Sequence, residues 1–386
     1  MEKQYTEHTV IIPSHNTLEH LKNTYQSIKK YAPNVPMIII DDASEDGTDI
    51  WLNTLSDKNL TVIIGKERKG HTYWYDEGMR RSQTPIVSIL HSDMIIGPGY
   101  FENMLKHLKP LSIVCATRIE PPIHPTGLEK HTQNFGIDYN DFTWDVFENF
   151  VIDTAKKDKD ITTKGIFAPW MLYKEDHLSI GGHDQRFAPY GYEDSDIFNR
   201  WIQAGYKMIQ SRDSLCYHMT CRGHRWNKGV GVENSDYKET MDRCRKEFLR
   251  KWGEWIQNDQ YQYPIINPKY DKGIIIKNCN EQIIEMLEPW FDTLYVDEGN
   301  TKTLIRNYIE KEQPNTIIDL NEKILPYDNE KQNGILVNID ATKFKQQDYI
   351  FLNQLSAIIQ DSGQIGSFEL GNLRIDIISM KKYLVN

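Results

Sequence analysis

Four short apolar runs, each followed by polar or helically spaced residues, organise the first hundred positions. They are Thr9-Val10-Ile11-Ile12-Pro13, Met37-Ile38-Ile39-Ile40, Leu60-Thr61-Val62-Ile63-Ile64 and Pro85-Ile86-Val87-Ser88-Ile89-Leu90. The first, stopped by a proline, is as expected for a buried strand, and the others read as further strands. Between the first two, Leu18, Leu21, Tyr25 and Ile28 recur at helical spacing, with Pro33 just past the end. A short helix is predicted through Ile50, Trp51 and Leu55, and another over residues 73–81. Strands alternating with helices predict an α/β fold, a mostly parallel twisted sheet with helices on both faces.

Near Tyr261-Gln262-Tyr263-Pro264 and Asn267-Pro268 the pattern restarts. The expected division is a first domain over residues 1–262, a linker over 263–270 and a smaller α/β domain over 271–386. Its predicted strands are residues 273–276, 293–297, 316–319 and 335–340, with an antiparallel end between Gly366 and Met380.

Polar residues gather where the strands of the first domain stop. Asp41-Asp42-Ala43-Ser44 follows the second run, and His91-Ser92-Asp93 follows the fourth. Both could simply solvate strand ends. Carboxyl ends of parallel strands are also where an open α/β sheet collects ligand groups. A carboxylate beside an imidazole suits a divalent cation, Mn²⁺ or Mg²⁺, carrying phosphate oxygens. The chain has no glycine-rich phosphate loop of either common type, so phosphates would be held through the metal.

The most concentrated chemistry lies over residues 181–196, Gly-Gly-His-Asp-Gln-Arg-Phe-Ala-Pro-Tyr-Gly-Tyr-Glu-Asp-Ser-Asp, followed by a helical pattern through Trp201. Acids at a helix start are favoured by the dipole and by free N–H groups, so capping by Asp194 or Ser195 is one reading. Capping leaves Tyr190, Gly191 and Tyr192 unexplained. A glycine-bearing, aromatic turn that delivers a carboxylate to a pocket accounts for both halves.

Composition narrows the classes. The chain has 386 residues, 26% of them charged, and a formal net charge of −10. That balance argues against a generic polyanion binder while leaving room for a local basic patch. Five cysteines, Cys115, Cys216, Cys221, Cys244 and Cys279, are scattered without a C-x-x-C pair, as expected of free thiols in a reducing compartment. With no secretory signal pattern and no apolar run near the roughly 18 residues of a membrane span, a cytoplasmic location is expected.

Taken together, Val10-Ile11-Ile12-Pro13-Ser14-His15-Asn16, Ile39-Ile40-Asp41-Asp42-Ala43-Ser44, His91-Ser92-Asp93 and the segment from Gly181 to Asp196 resemble a glycosyltransferase of family 2 with the GT-A fold. The acceptor loop is similar to that of β-1,4-galactosyltransferases. The resemblance spans roughly residues 8–225. It implies an inverting, metal-dependent transfer from a nucleotide-sugar, a UDP-sugar first among the candidates. It also implies roles for individual residues. Pro13, His15, Asn16, Asp42 and Ser44 would bind the nucleoside, and His91 and Ser92 would border the diphosphate. Asp93 would coordinate the metal, with His218 or His224 as a further ligand. Glu193, with Tyr190, Gly191 and Tyr192, would hold the acceptor, and Asp194 would be the general base. His15 stands where an aromatic is usual, and His91 replaces the first acid of D-x-D.

Arg222, His224, Arg225 and Trp226 form a basic, glycine-bearing loop shortly after His218. Arg222 and Arg225 are candidates for the diphosphate. From Arg243 onward the basic residues fit a solvated amphipathic helix. The second domain resembles the later half of a nucleotide-dependent methyltransferase but lacks a glycine-rich cofactor loop. Its expected role is acceptor positioning or homo-oligomerisation. The acceptor stays open between a glycan, a protein side chain and a modified nucleobase. Two rivals remain: a non-catalytic nucleotide-sugar or glycan binder on a degenerate transferase fold, and a nucleotidyltransferase, which would want a basic glycine-rich loop where Ser14-His15-Asn16 stands.

Overall fold

A computed structural model describes residues 7–220, 222–226, 229–296, 298–327 and 333–385. Cys221, Lys228 and Asp297 lie outside the described residues. By packing, the chain divides into Met1–Met241 with Asn258–Pro264, and Asp242–Gln257 with Ile265–Asn386.

In the first unit, β1 (His8–Ser14), β2 (Met37–Asp41), β3 (Leu60–Ile64) and β4 (Ile86–Ile89) are parallel and stand in the order β3-β2-β1-β4. The connections are α1 (Leu18–Tyr31), α2 (Thr48–Thr54) and α3 (His71–Arg81). Alternation along β1 explains why the sheet is covered twice. Val10 and Ile12 pack with Leu21, Ile28 and Leu52 on one face, and Ile11 packs with Trp74, Met79 and Trp201 on the other. Successive strand residues point to opposite faces, so a continuous apolar run needs helices on both.

The sheet continues beyond β4 with mixed direction. β5 (Met94–Ile96), α4 (Tyr100–Leu105), β6 (Ser112–Glu120), β7 (Lys130–Thr132), α5 (Trp144–Lys157), β8 (Thr162–Thr163), β9 (Trp170–Tyr173), α6 (Lys174–Ser179), α7 (Glu193–Gln203) and β10 (Lys207–His218) complete it. The order runs on as β4-β9-β6-β10-β5, with β9 antiparallel to both neighbours and β6 parallel to β10. The strand order reverses between β1, whose chain next goes to β2, and β4 on its other side. Their carboxyl ends therefore open a crevice at a topological switch point, bordered by Ser14 and by His91 just past β4.

In the second unit, α8 (Tyr237–Trp252) contributes its later half. There Arg250 is buried, bonded to Glu247, Glu288 and Glu312. Four parallel strands stand side by side in the order Ile324–Pro326, Thr293–Val296, Lys272–Lys277 and Ile335–Asp340, and an antiparallel hairpin, Gly366–Leu370 with Leu373–Ile377, pairs onto the last of them. One expected strand fails: Thr316-Ile317-Ile318-Asp319 is a turn, with Ile317 71% exposed, and the edge strand is Ile324–Pro326. The Gln313 side chain donates to Ile318 O and accepts from Leu320 N, and Asp319 caps the helix Leu320–Lys323. These local bonds outcompete strand pairing.

Candidate active site

The crevice at the ends of β1 and β4 is lined by Pro13, Ser14, His15, Asp42, His91, Ser92 and Asp93 from strand ends, with Arg68, His71 and His218 across from them. Asp42 fixes its far wall. Its carboxylate accepts from the backbone of Lys69 (2.7 Å) and Gly70 (2.8 Å) and from Trp74 Nε1 (2.6 Å). It thus seats the start of α3 against the end of β2. The His15 ring bonds Asp42 O at 2.8 Å. Asn16 N donates to Ser44 Oγ (2.9 Å), and Asn16 Oδ1 accepts from Glu45 N (2.8 Å). Asn16 and Ser44 therefore brace the loop behind the crevice rather than line it.

Asp93, His91 and His218 present one ligand atom each within 4.8 Å of one another. Antiparallel pairing of β10 with β5 sets His218 opposite Met94, and its Nε2 then lies 3.6 Å from Asp93 Oδ1. Nδ1 of the same ring is 3.0 Å from Glu120 Oε1, at the end of β6. Glu120 is itself held by Arg118 (3.0 Å) and Lys130 (2.7 Å). A carboxylate behind the ring fixes its tautomer and turns the free nitrogen toward the crevice, the usual support of a metal-bound histidine. Burial, then the neighbouring His218, pushes His91 down to about 3, so it is neutral and its lone pair is available. Burial would raise Asp93, but the neighbouring His218 and the hydrogen bond from Arg222 N outweigh it and keep the carboxyl below its ordinary range. A mixed nitrogen and oxygen set of this kind fits a borderline divalent ion such as Mn²⁺. His224 lines the crevice but is outside this trio.

A second cleft adjoins the first, sharing His71, His91, Tyr190, His218 and His224, and is lined further by Arg118, Glu120, Phe167, Gly191, Glu193 and Asp194. Glu193 and Asp194 open α7, whose Ile197 and Trp201 are buried in the core. The preceding turn needs left-handed backbone at Gly191 (φ 103°) and Tyr192 (φ 68°). Glu193 Oε1 accepts from His71 Nε2 at 2.6 Å. Burial would raise Glu193, but His71 outweighs it and holds the carboxyl down at about 2. Asp194 is half-buried, and no hydrogen bond among the described residues engages its carboxylate. Burial, then the charge of Glu193, raises it to about 6. One environment keeps Glu193 ionised while the other leaves Asp194 able to take a proton near neutrality.

The base of this loop is anchored from α3. Asp76 accepts from His183 N (2.8 Å), His183 Nδ1 (2.7 Å) and His177 Nε2 (2.9 Å), all buried. A Cβ on Gly182 would lie 2.2 Å from Asp76 Oδ2, so that glycine is required for the approach.

The two arginines expected at the diphosphate lie elsewhere. Arg222 is buried with its guanidinium bonded to Ile137 O and near Asp138, although its backbone N–H reaches Asp93 Oδ2 at 3.1 Å. Arg225 pairs with Glu233 and lies over Trp226 and Tyr237. Neither side chain lines either cleft. His71, Glu120, Arg118 and Arg68 were missed in the sequence. Glu120 was findable, since it ends a nine-residue buried strand just as Asp41 ends β2. His71 had only its place after Gly70 at a helix start to mark it.

The model of glycosyl transferase family 2 matches residues 9–174, and that described as N-terminal domain of galactosyltransferase matches residues 153–222. The uncharacterized glycosyltransferase YfnE of Bacillus subtilis is 26% identical over 254 residues, 54% of this chain and 64% of that protein. The putative teichuronic acid biosynthesis glycosyltransferase TuaG of the same organism is 32% identical over 88 residues, 22% of this chain and 35% of that one. The chain thus spans less than two thirds of the length of either relative. Among solved structures, the mannosyltransferase PcManGT of Pyrobaculum calidifontis with GDP-Man and Mn²⁺ is 20% identical, with 58% of each chain covered and a TM-score of 0.41. TarS of S. aureus with UDP-GlcNAc is 13% identical, covering 63% of this chain and 66% of that one, with a TM-score of 0.40. The two models, overlapping over residues 153–174, fall on the stretch of mixed α/β sheet that holds the His91–Asp93–His218 trio and the Glu193–Asp194 pair, and this chain is similar there to glycosyltransferases of family 2.

Proposed function

We propose that this chain is an inverting glycosyltransferase that moves a sugar from a nucleotide-sugar to an acceptor hydroxyl. The observation that carries the reading is Asp194: a carboxylate without a hydrogen bond among the described residues, raised to about 6, on the wall of a cleft that His91 and His218 of the trio also line. A base at one end and a diphosphate site at the other suit a single displacement, in which the hydroxyl attacks opposite the leaving group.

The nucleoside would lie along Pro13, His15 and Asp42, the crevice's strand-end wall. Asp93, His91 and His218 would hold a divalent cation, Mn²⁺ or Mg²⁺. When bound, that ion supplies charge neutralisation on the diphosphate. Glu193, ionised and clamped by His71, has Oε2 without a partner among the described residues and offers it to an acceptor hydroxyl. Asp194 takes the proton from the attacking hydroxyl, a contribution of typically about 10²–10⁴-fold. Tyr190, buried at the mouth shared by both clefts, would exclude water from the donor.

Cys115, Cys216 and Cys279 are free thiols, and no helix among the described residues is long and apolar enough to cross a membrane. Reduced thiols support the cytoplasm as the place of action. For the second unit, acceptor positioning or homo-oligomerisation is the role we propose. The deciding experiment is a panel of nucleotide-sugars, UDP-sugars first, assayed for Mn²⁺-dependent donor hydrolysis and transfer. Turnover of at least one donor, lost in Asp194→Asn, is expected. Tight donor binding without turnover on any acceptor would favour a non-catalytic binder instead.

A further inference from the structure

His71 meets Glu193 from a different element, and that junction has no counterpart in the sequence motifs. It is the first residue of α3, and its position is set from three sides. Asp42 holds Lys69 N and Gly70 N just before it. Its own backbone N–H donates to Pro189 O at 3.1 Å. A Cβ on Gly70 would stand 2.2 Å from Pro189, so the acceptor loop rests directly on this helix start. From that fixed point the ring reaches Glu193 Oε1 at 2.6 Å, and it lines both clefts.

We infer that His71 is a positioning residue for transfer: it clamps one oxygen of Glu193, turns the other to the acceptor, and leaves Asp194 as the uncommitted carboxylate of the pair. The inference rests on the reading of Glu193 as the acceptor-holding group. It adds a physical link from Asp42 at the donor end to Glu193 at the acceptor end, through residues 69–71. Without the clamp, Glu193 is free to rotate and to compete with Asp194 for the same hydroxyl. Small misplacements of this kind cost up to about 10²-fold in rate.

A double-mutant cycle decides it. His71→Leu should lower kcat/KM for the acceptor by about 10–100-fold in the wild type, but by less than about 3-fold in a Glu193→Gln background, because the residue acts through Glu193. His71→Gln, which keeps an N–H donor, should retain activity within about 5-fold of wild type. It also answers the case in which the leucine variant does not fold. Equal losses in both backgrounds, or a glutamine variant as poor as leucine, would overturn the inference. The same cycle measured as urea midpoints needs no activity. Coupled midpoints in a wild type that transfers no sugar would defeat the proposed function and leave the clamp standing. Additive midpoints would defeat the clamp.

Discussion

His218 Nε2 lies 3.6 Å from Asp93 Oδ1, although the two residues are far apart along the chain. The pairing of β10 with β5 makes this contact, and Glu120 behind the ring aims it. Neither strand alone contains a metal site. The cluster of His91, Asp93 and His218 forms because an antiparallel register places His218 beside the residue after Asp93.

That contact predicts metal dependence. Asp93→Ala should abolish Mn²⁺-dependent binding of a nucleoside diphosphate, and excess chelator should stop the wild type. Calorimetry with UDP, with and without Mn²⁺, checks it. Full activity in chelator would rule out the trio as a metal site.

Glu120 offers a sharper test, since it lies behind His218 and does not line the crevice that holds Asp93, although it lines the adjoining cleft. Glu120→Gln should weaken Mn²⁺ binding by about 10–100-fold, the usual effect of removing a carboxylate behind a ligand histidine. An unchanged Mn²⁺ titration would mean that Nε2 is aimed by packing alone.

For Asp194, activity and stability should move in opposite directions. As a base it works deprotonated, so kcat/KM should rise with pH through about 6 and level off above it. Its folded carboxyl titrates above the ordinary 3.8, so the folded state binds the proton more tightly between pH 4 and 6. The stability this contributes is fully present below about 4 and is lost as pH rises through about 6. Asp194→Asn removes that loss. At pH 7 the variant should be at least about 10²-fold slower in kcat, yet raised in Tm, by on the order of 1 kcal/mol of stability. A variant both active and less stable would place the base elsewhere.

Gly70 is the residue whose change should uncouple the acceptor loop from the helix it rests on. At φ 86°, with Pro189 backbone 2.2 Å from any Cβ, Gly70→Ala must displace the loop or the start of α3. A loss of about 1–3 kcal/mol is expected from backbone strain and the displaced contact. Transfer should fall more than nucleoside-diphosphate binding does. Thermal melts and acceptor KM report the two effects separately.

Much of the fold was legible because buried parallel strands write themselves as continuous apolar runs. The residues just past them, Asp42 after β2 and His91 and Asp93 after β4, were readable for the same reason: a strand's end is a local property. The glycines and acids of residues 181–196 were equally local, since left-handed turns and helix starts restrict residue type within a few positions. What only tertiary structure decided is how distant side chains are shared. It chose His218 over His224 for the trio by strand register, and it recruited Glu120 and His71, residues no motif marks. It turned Arg222 and Arg225 away from the clefts toward Ile137 and Glu233, because a guanidinium goes where acceptors are, and those acceptors come from remote segments. It divided α8 between two packing units, since Arg250 meets Glu288 and Glu312 only across long stretches of chain. Apolar periodicity records which face of an element is covered. It carries no record of which partner covers it, and a polar side chain's role is set by that partner.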